Sequence, residues 1–197
     1  MNEKKITRRC AWVNMKNPLY IQYHDTEWGV PLHTDKELYE LLILEGFQAG
    51  LSWECVLNKR ENFRRAFDDF DVEKVSQYDE EKCRQLQSDS SIIRNKLKIA
   101  ASVTNSRIFM QIQKEYGSFD NYIWGFTDRK TIDESWELRT TSPLSDKISK
   151  DLKKRGMKFV GSTIIYAYLQ SIGVLNAHEE GCDCCRGLIF SLQNAIL

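Results

Sequence analysis

Residues 143–172 read PLSDKISKDLKKRGMKFVGSTIIYAYLQSI. Pro143 after Ser142 suits a first helical turn, where its fixed φ is already helical and its missing N–H would be unpaired anyway. A helix from there runs through Ile148 and Leu152 to Arg155, and Gly156 ends it. Met157-Lys158-Phe159-Val160-Gly161 makes a short connection, Ser162 is placed to cap a second helix reaching Ile172, and Gly173 closes that helix. The pattern predicts a helix-hairpin-helix unit over residues 143–173. Glycines flanking the turn allow close backbone approach, and the free N–H groups opening the second helix can receive an anion such as a phosphate. Between Ser142 and Gly161, the six basic residues Lys147, Lys150, Lys153, Lys154, Arg155 and Lys158 meet only Asp146 and Asp151, in a chain of zero formal net charge. That local excess makes Lys154, Arg155, Gly156, Lys158 and Gly161 candidates for gripping a nucleic-acid backbone. An ordinary turn with a solvated basic face is the competing reading.

Helical spacing prevails on either side of this unit. Leu51, Cys55, Phe63, Phe67 and Phe70 recur at helical intervals. Leu97, Ala101, Ile108 and Ile112 form one stripe of a long helix stopping at Gly117, and Ser118 can cap a short helix containing Tyr122, Ile123 and Phe126. Thr127 to Ser142 is polar and acidic and predicts a loop. Strand signals are scarce, and no repeat, linker or composition shift marks a boundary. The expectation is an all-α fold, one helical domain over residues 1–197 in one or two lobes, with 143–173 as its DNA-binding segment.

A hydrophobic share of 42% with 28% charged residues is ordinary for a globular protein. No apolar run approaches membrane-spanning length, and Lys4, Lys5, Arg8 and Arg9 precede no apolar signal-peptide core, so the cytoplasm is the expected address. Six cysteines in that setting point to metal ligation or inert burial rather than to disulfides. Cys10 and His24 lie near the start and His178 and Cys182 near the end; thiolate and imidazole together suit tetrahedral zinc. Burial of Cys10 and a hydrogen-bonded core His24 would explain the same residues, and Cys184 and Cys185 compete with Cys182 as ligands. Glu45 interrupts the apolar run Leu41 to Leu44, with Trp53 two helical turns further on. A carboxylate in such company is either on a polar helix face or held in a pocket for a purpose.

Several blocks occur in one order: Cys10-Ala11-Trp12-Val13, Pro18-Leu19-Tyr20, residues 23–31 (YHDTEWGVP), residues 44–53 (LEGFQAGLSW), residues 59–63 (KRENF), residues 153–161 (KKRGMKFVG) and residues 178–182 (HEEGC). Together they resemble the DNA-3-methyladenine glycosylase I (TAG) family of the helix-hairpin-helix glycosylases. The resemblance covers residues 10 to 182 with no departure at a motif position. It implies a structural zinc held by Cys10, His24, His178 and Cys182, with no coordination position left for water. Glu45 becomes the catalytic and base-reading residue, and Trp12, Tyr23 and Trp53 become the aromatic walls. Trp28 is either a further wall or core. Leu51, in the Ala49-Gly50-Leu51 turn, becomes the wedge that fills the gap left by a flipped nucleotide, although a core leucine would look the same.

Methylation at N3 leaves the adenine cationic, which favours π-faces and a carboxylate and makes the base a good leaving group. Related glycosylases carry an aspartate shortly after the hairpin; Ser162 to Gly173 holds no Asp or Glu, as in the TAG pattern. The expected partners are duplex DNA containing alkylated adenine and free 3-methyladenine as product, with no membrane and a monomeric chain. The alternative is a non-enzymatic, zinc-stabilised helix-hairpin-helix DNA-binding protein. A metal-dependent hydrolase fits less well, because four protein ligands close the coordination shell.

Overall fold

Helix α2 (Asp35–Gln48) is buried almost all the way round, from Leu38 through Leu44 to Phe47, as a helix at the centre of a fold must be. The computed structural model describes residues 8–135 and 139–185. Lys4, Lys5 and the ends of the expected domain lie outside them. Around α2 pack α7 (Lys96–Tyr116), α8 (Phe119–Gly125) and α10 (Ser162–Ser171), with α9 (Pro143–Lys154) against α10 and the short α5 (Val72–Ser76) and α6 (Glu80–Ser88) against α7. Asn95 caps α7 by accepting from Leu97 N and Lys98 N, and Gly117 ends it at φ 84°. Ser118 caps α8 by accepting from Asn121 N. Leu97 does not join the stripe expected of it: in the first turn of α7 it is Lys98 and Ile99 that are buried, and Leu97 is left 70% exposed.

The hairpin forms where the sequence predicts it, with one change at its second helix. Ser142 and Ser145 make a reciprocal capping box at the start of α9, and Gly156 takes φ 102° after its end. Gly161, not Ser162, is the N-cap of α10. Ser162 is already helical, and its hydroxyl lies 2.8 Å from that of Ser145, tying the two helices together. The opening N–H groups of α10 therefore have no side-chain cap.

Two further expectations change. The stretch from Leu51 to Phe70 is not one helix but α3 (Trp53–Leu57), α4 (Arg60–Ala66) and a 3-10 turn (Asp68–Phe70). Phe63, Phe67 and Phe70 are buried as periodicity suggested, but Asp68, Asp69 and Phe70 have positive φ, which no continuous helix allows. The loop from Thr127 to Ser142 carries strand β1 (Ile132–Asp133), paired in parallel with β2 (Leu175–Asn176). Two residues are too few for an alternating pattern to be visible. This clip leads the chain from α10 toward His178. Among the described residues no helix is long and apolar enough to cross a membrane.

Candidate active site and metal centre

Helix α1 (Pro18–Thr26) starts at Pro18 behind its cap Asn17 and presents Tyr23 and His24, both buried, in different directions. His24 turns to the chain ends. Its Nε2 lies 3.5 Å from Cys182 Sγ, while His178 Nδ1 lies 3.5 Å from Cys10 Sγ and 3.6 Å from Cys182 Sγ. All four donors are buried and within 4.8 Å of one another, a group able to hold a metal ion. The remaining ring nitrogens are occupied: His24 Nδ1 is 2.8 Å from Asp25 Oδ1, itself paired with Arg9, and His178 Nε2 is 3.1 Å from the carbonyl of Trp28. Such outer partners leave one nitrogen of each imidazole directed at the cluster. Burial, with His24 beside it, lowers His178 to about 4, so the ring is neutral as a ligand must be. Cys184 lies 4.0 Å from the nitrogen of His24 that faces Asp25 and forms with these two residues a second group of donors within 4.8 Å, and Cys185 lies by Asn176.

Tyr23 turns the other way and meets Trp53, with ring centroids 5.3 Å apart. Ser52 sets Trp53 at the start of α3 by accepting from Cys55 N. The chain reaches that point through Ala49 and Gly50 (φ 78°), so Trp53 faces α2 from a separate helix instead of continuing it. Glu45 on α2 is 2% exposed, and Glu45 Oε2, Gln48 Oε1 and Trp53 Nε1 are buried without a hydrogen-bond partner. Three unmatched polar atoms on two packed helices cost free energy in the free protein. Burial alone raises Glu45 to about 8.

Trp12 stands in a neighbouring aromatic layer, against Tyr20 at 5.2 Å, His24 at 5.3 Å and Trp28 at 4.8 Å, and so links the pocket side of α1 to the metal ligands. Trp28 also packs edge-on to His178. The N-terminal segment is held to α3 by Glu54, which accepts from the amides of Asn14 and Asn17 at 2.8 Å each.

A family model for methyladenine glycosylases matches residues 12–186. The chain belongs to that family. It is 45% identical to DNA-3-methyladenine glycosylase 1 of Escherichia coli K12 over 91% of this chain and 97% of that protein. It superposes on a crystal structure of 3-methyladenine DNA glycosylase I with a TM-score of 0.86 and 42% identity, covering 90% of this chain and 99% of that one. A tyrosine-to-phenylalanine variant of 3-methyladenine DNA glycosylase I, in complex with 3-methyladenine, also aligns at 0.86, with 34% identity over 90% and 97%.

In this methyladenine glycosylase the other sequence candidates separate. Leu51 stands on the turn between α2 and α3, 43% exposed. Lys154 and Lys158 are exposed, whereas Arg155 is bound to Asp151 at 2.7 Å and Glu115 at 2.6 Å and lies near the rings of Tyr116 and Tyr122. This places Arg155 in the α7–α9 contact and leaves the lysines as the free charges. Sequence reasoning missed Gln48, one turn from Glu45 on α2 and therefore on its face. It also missed Tyr20, which lies within electrostatic range of Glu45. The spacing from Glu45 was the available signal for Gln48, and for Tyr20 it was its place in the Pro18-Leu19-Tyr20 block.

Proposed function

We propose that this chain is a monofunctional DNA repair glycosylase that hydrolyses the N-glycosidic bond of 3-methyladenine in alkylated DNA. The observation that carries the reading is the unmatched trio Glu45, Gln48 and Trp53 beside Tyr23. A protein that only binds DNA has no use for a buried carboxylate without a partner, whereas a flipped cationic purine supplies donors and charge for it. Tyr23 and Trp53 offer π-faces, which attract the cationic base more than neutral adenine. Trp12 stands as a further wall beyond Tyr20. Because methylation weakens the glycosidic bond, binding and orientation leave water to complete the reaction, with no covalent enzyme intermediate.

The hairpin and the turn at Leu51 divide the handling of DNA. Residues 143–173 are the gripping segment within one helical domain. The uncapped N–H groups at Gly161, with the exposed Lys154 and Lys158 of the same hairpin, receive backbone phosphates; Gly161 leaves open space for that approach, whereas Gly156 makes room for Ile108 of α7. Leu51 enters the duplex where the nucleotide leaves. Zinc fits the ligand cluster: with Zn–S and Zn–N bonds near 2.3 and 2.05 Å, a tetrahedral S···N edge is about 3.6 Å, and the three measured edges are 3.5, 3.5 and 3.6 Å. The four ligands fill the shell, so the role is to tie the chain ends together behind α1.

The deciding measurement is base release from methylated duplex DNA, with the product identified by chromatography. Release of 3-methyladenine is expected; tight DNA binding with no released base would favour the non-enzymatic alternative. Elemental analysis should find one zinc per chain, lost when Cys10 and Cys182 are both changed to serine.

A further inference from the structure

Lys98 is a buried lysine whose ammonium has no carboxylate among the described residues. It donates instead to two carbonyls at the end of α2, Phe47 O at 2.7 Å and Ala49 O at 2.6 Å. These are among the last carbonyls of the helix, where partial negative charge accumulates. Ala49 has already left helical geometry, and Gly50 follows at φ 78°, so the two bonds fasten the base of the turn that carries Leu51.

The same side chain reaches the hairpin. Lys98 Nζ is 5.9 Å from the centroid of Phe159, a non-glycine residue at φ 55°. About two turns along α7, Asn105 grips the neighbouring backbone on both sides, donating to Lys158 O and accepting from Lys158 N at 2.9 Å each. Phe159 also rests on α2, since a β-carbon at Gly46 would lie 3.7 Å from its own. The space left between α2, α7 and Phe159 is about 10 Å³, room for at most one water. A neutral amide would satisfy two carbonyls at less desolvation cost than an ammonium does.

We infer that Lys98 is a positioning residue that fixes the Ala49–Leu51 turn relative to the hairpin, so that the grip on the DNA backbone and entry of the turn into the duplex occur in register. This rests on the reading of Leu51 as the wedge. Lys98 touches neither base nor phosphate; it acts through the carbonyls it holds. Burial lowers its pKa by disfavouring the charged form.

The test compares wild type with Lys98→Met, Lys98→Arg and Leu51→Ala in three measurements. These are single-turnover excision from methylated duplex DNA, affinity for free 3-methyladenine, and the fluorescence of 2-aminopurine beside an abasic-site analogue, which rises when the stack opens. For Lys98→Met, excision should fall about 10- to 100-fold, the loss that accompanies displacement of reacting groups by ~1 Å. The fluorescence rise should shrink, free-base affinity should hold, and Lys98→Arg should recover part of both losses. Wild-type excision and fluorescence in Lys98→Met would overturn the inference. So would a parallel loss of free-base affinity, which would mean a distorted pocket. If Lys98→Met does not fold, Lys98→Gln, whose amide nitrogen sits one bond nearer the backbone and cannot reach both carbonyls, replaces it under the same criteria. Leu51→Ala behaving as wild type would remove the wedge reading and this inference with it; Leu51→Ala impaired with Lys98→Met intact would remove only the inference.

Discussion

Helix α2 buries two glutamates, Glu40 and Glu45, and the protein treats them in opposite ways. Glu40 accepts from Arg60 Nε at 2.6 Å and from Arg64 Nε at 3.0 Å, and Arg60 reaches on to Glu27 at 2.5 Å. Glu45, little more than a turn away, has a buried oxygen with no partner, a condition shared by Gln48 Oε1 and Trp53 Nε1. The first carboxylate joins α1, α2 and α4 into one body. The second has an oxygen that no group of the described protein satisfies. Burial alone does not separate a structural acid from a functional one; the presence of its partner does.

The contrast can be broken from either side. Removing Glu40 should have the largest destabilising effect: Glu40→Ala leaves the mostly buried Arg60 with Glu27 as its remaining carboxylate, a loss of about 3 kcal/mol, the low end for a broken buried pair. Chemical denaturation should show it, with excision per folded molecule close to wild type. Loss of excision without loss of stability would reverse the roles assigned to the two acids.

Glu45→Gln should act on chemistry instead. A charged hydrogen bond in a desolvated pocket contributes about 1.5–3 kcal/mol, so kcat/KM for excision should drop roughly 10- to 100-fold, while affinity for undamaged DNA holds. Wild-type kcat/KM itself should climb as pH rises toward about 8 and the acid ionises, and the Gln variant should lack that limb.

The same substitution should stabilise the free protein. Burial raises Glu45 from its ordinary 4.5 to about 8, so the native state holds a proton that the unfolded state releases. Wild-type stability therefore falls as pH rises across that window. Glu45→Gln escapes this slope: its advantage should be absent near pH 4 and grow by about 1.4 kcal/mol for each pH unit until the acid has ionised near pH 8. Thermal melts across the pH range would check it, and parallel curves for the two proteins would refute it. The smallest change is Trp53→Phe, which keeps a ring and removes the Nε1 donor. About 1 kcal/mol, or roughly fivefold in excision, should be lost, and no loss would exclude that N–H from base recognition.

The helices of the hairpin could be read from the chain because capping and termination are local. Ser142, Pro143 and Gly156 specify their own backbone, whatever the rest of the fold does. The one misplacement, Ser162 for Gly161, arose because the Ser162 hydroxyl found Ser145 on the other helix, a partner no local rule supplies. The kinked run from Leu51 to Phe70 shows the opposite limit. Its aromatic spacing located the core residues correctly, but spacing cannot register the left-handed residues that break the helix.

The sequence by itself determined the helical class, the hairpin, the family and the identity of the candidate ligands, since each depends on residue types at short range or on motifs in order. Tertiary structure decided which charges are spent and which are free. Arg155 and Arg60 look no different in sequence from Lys154 and Lys158, yet the two arginines are locked into carboxylates from other helices. Nothing around Glu45 or Lys98 in the chain reveals that one has an unmatched oxygen and the other two carbonyls. A partner contributed from dozens of residues away exists only after packing, and the cost of a buried charge depends on whether that partner arrives.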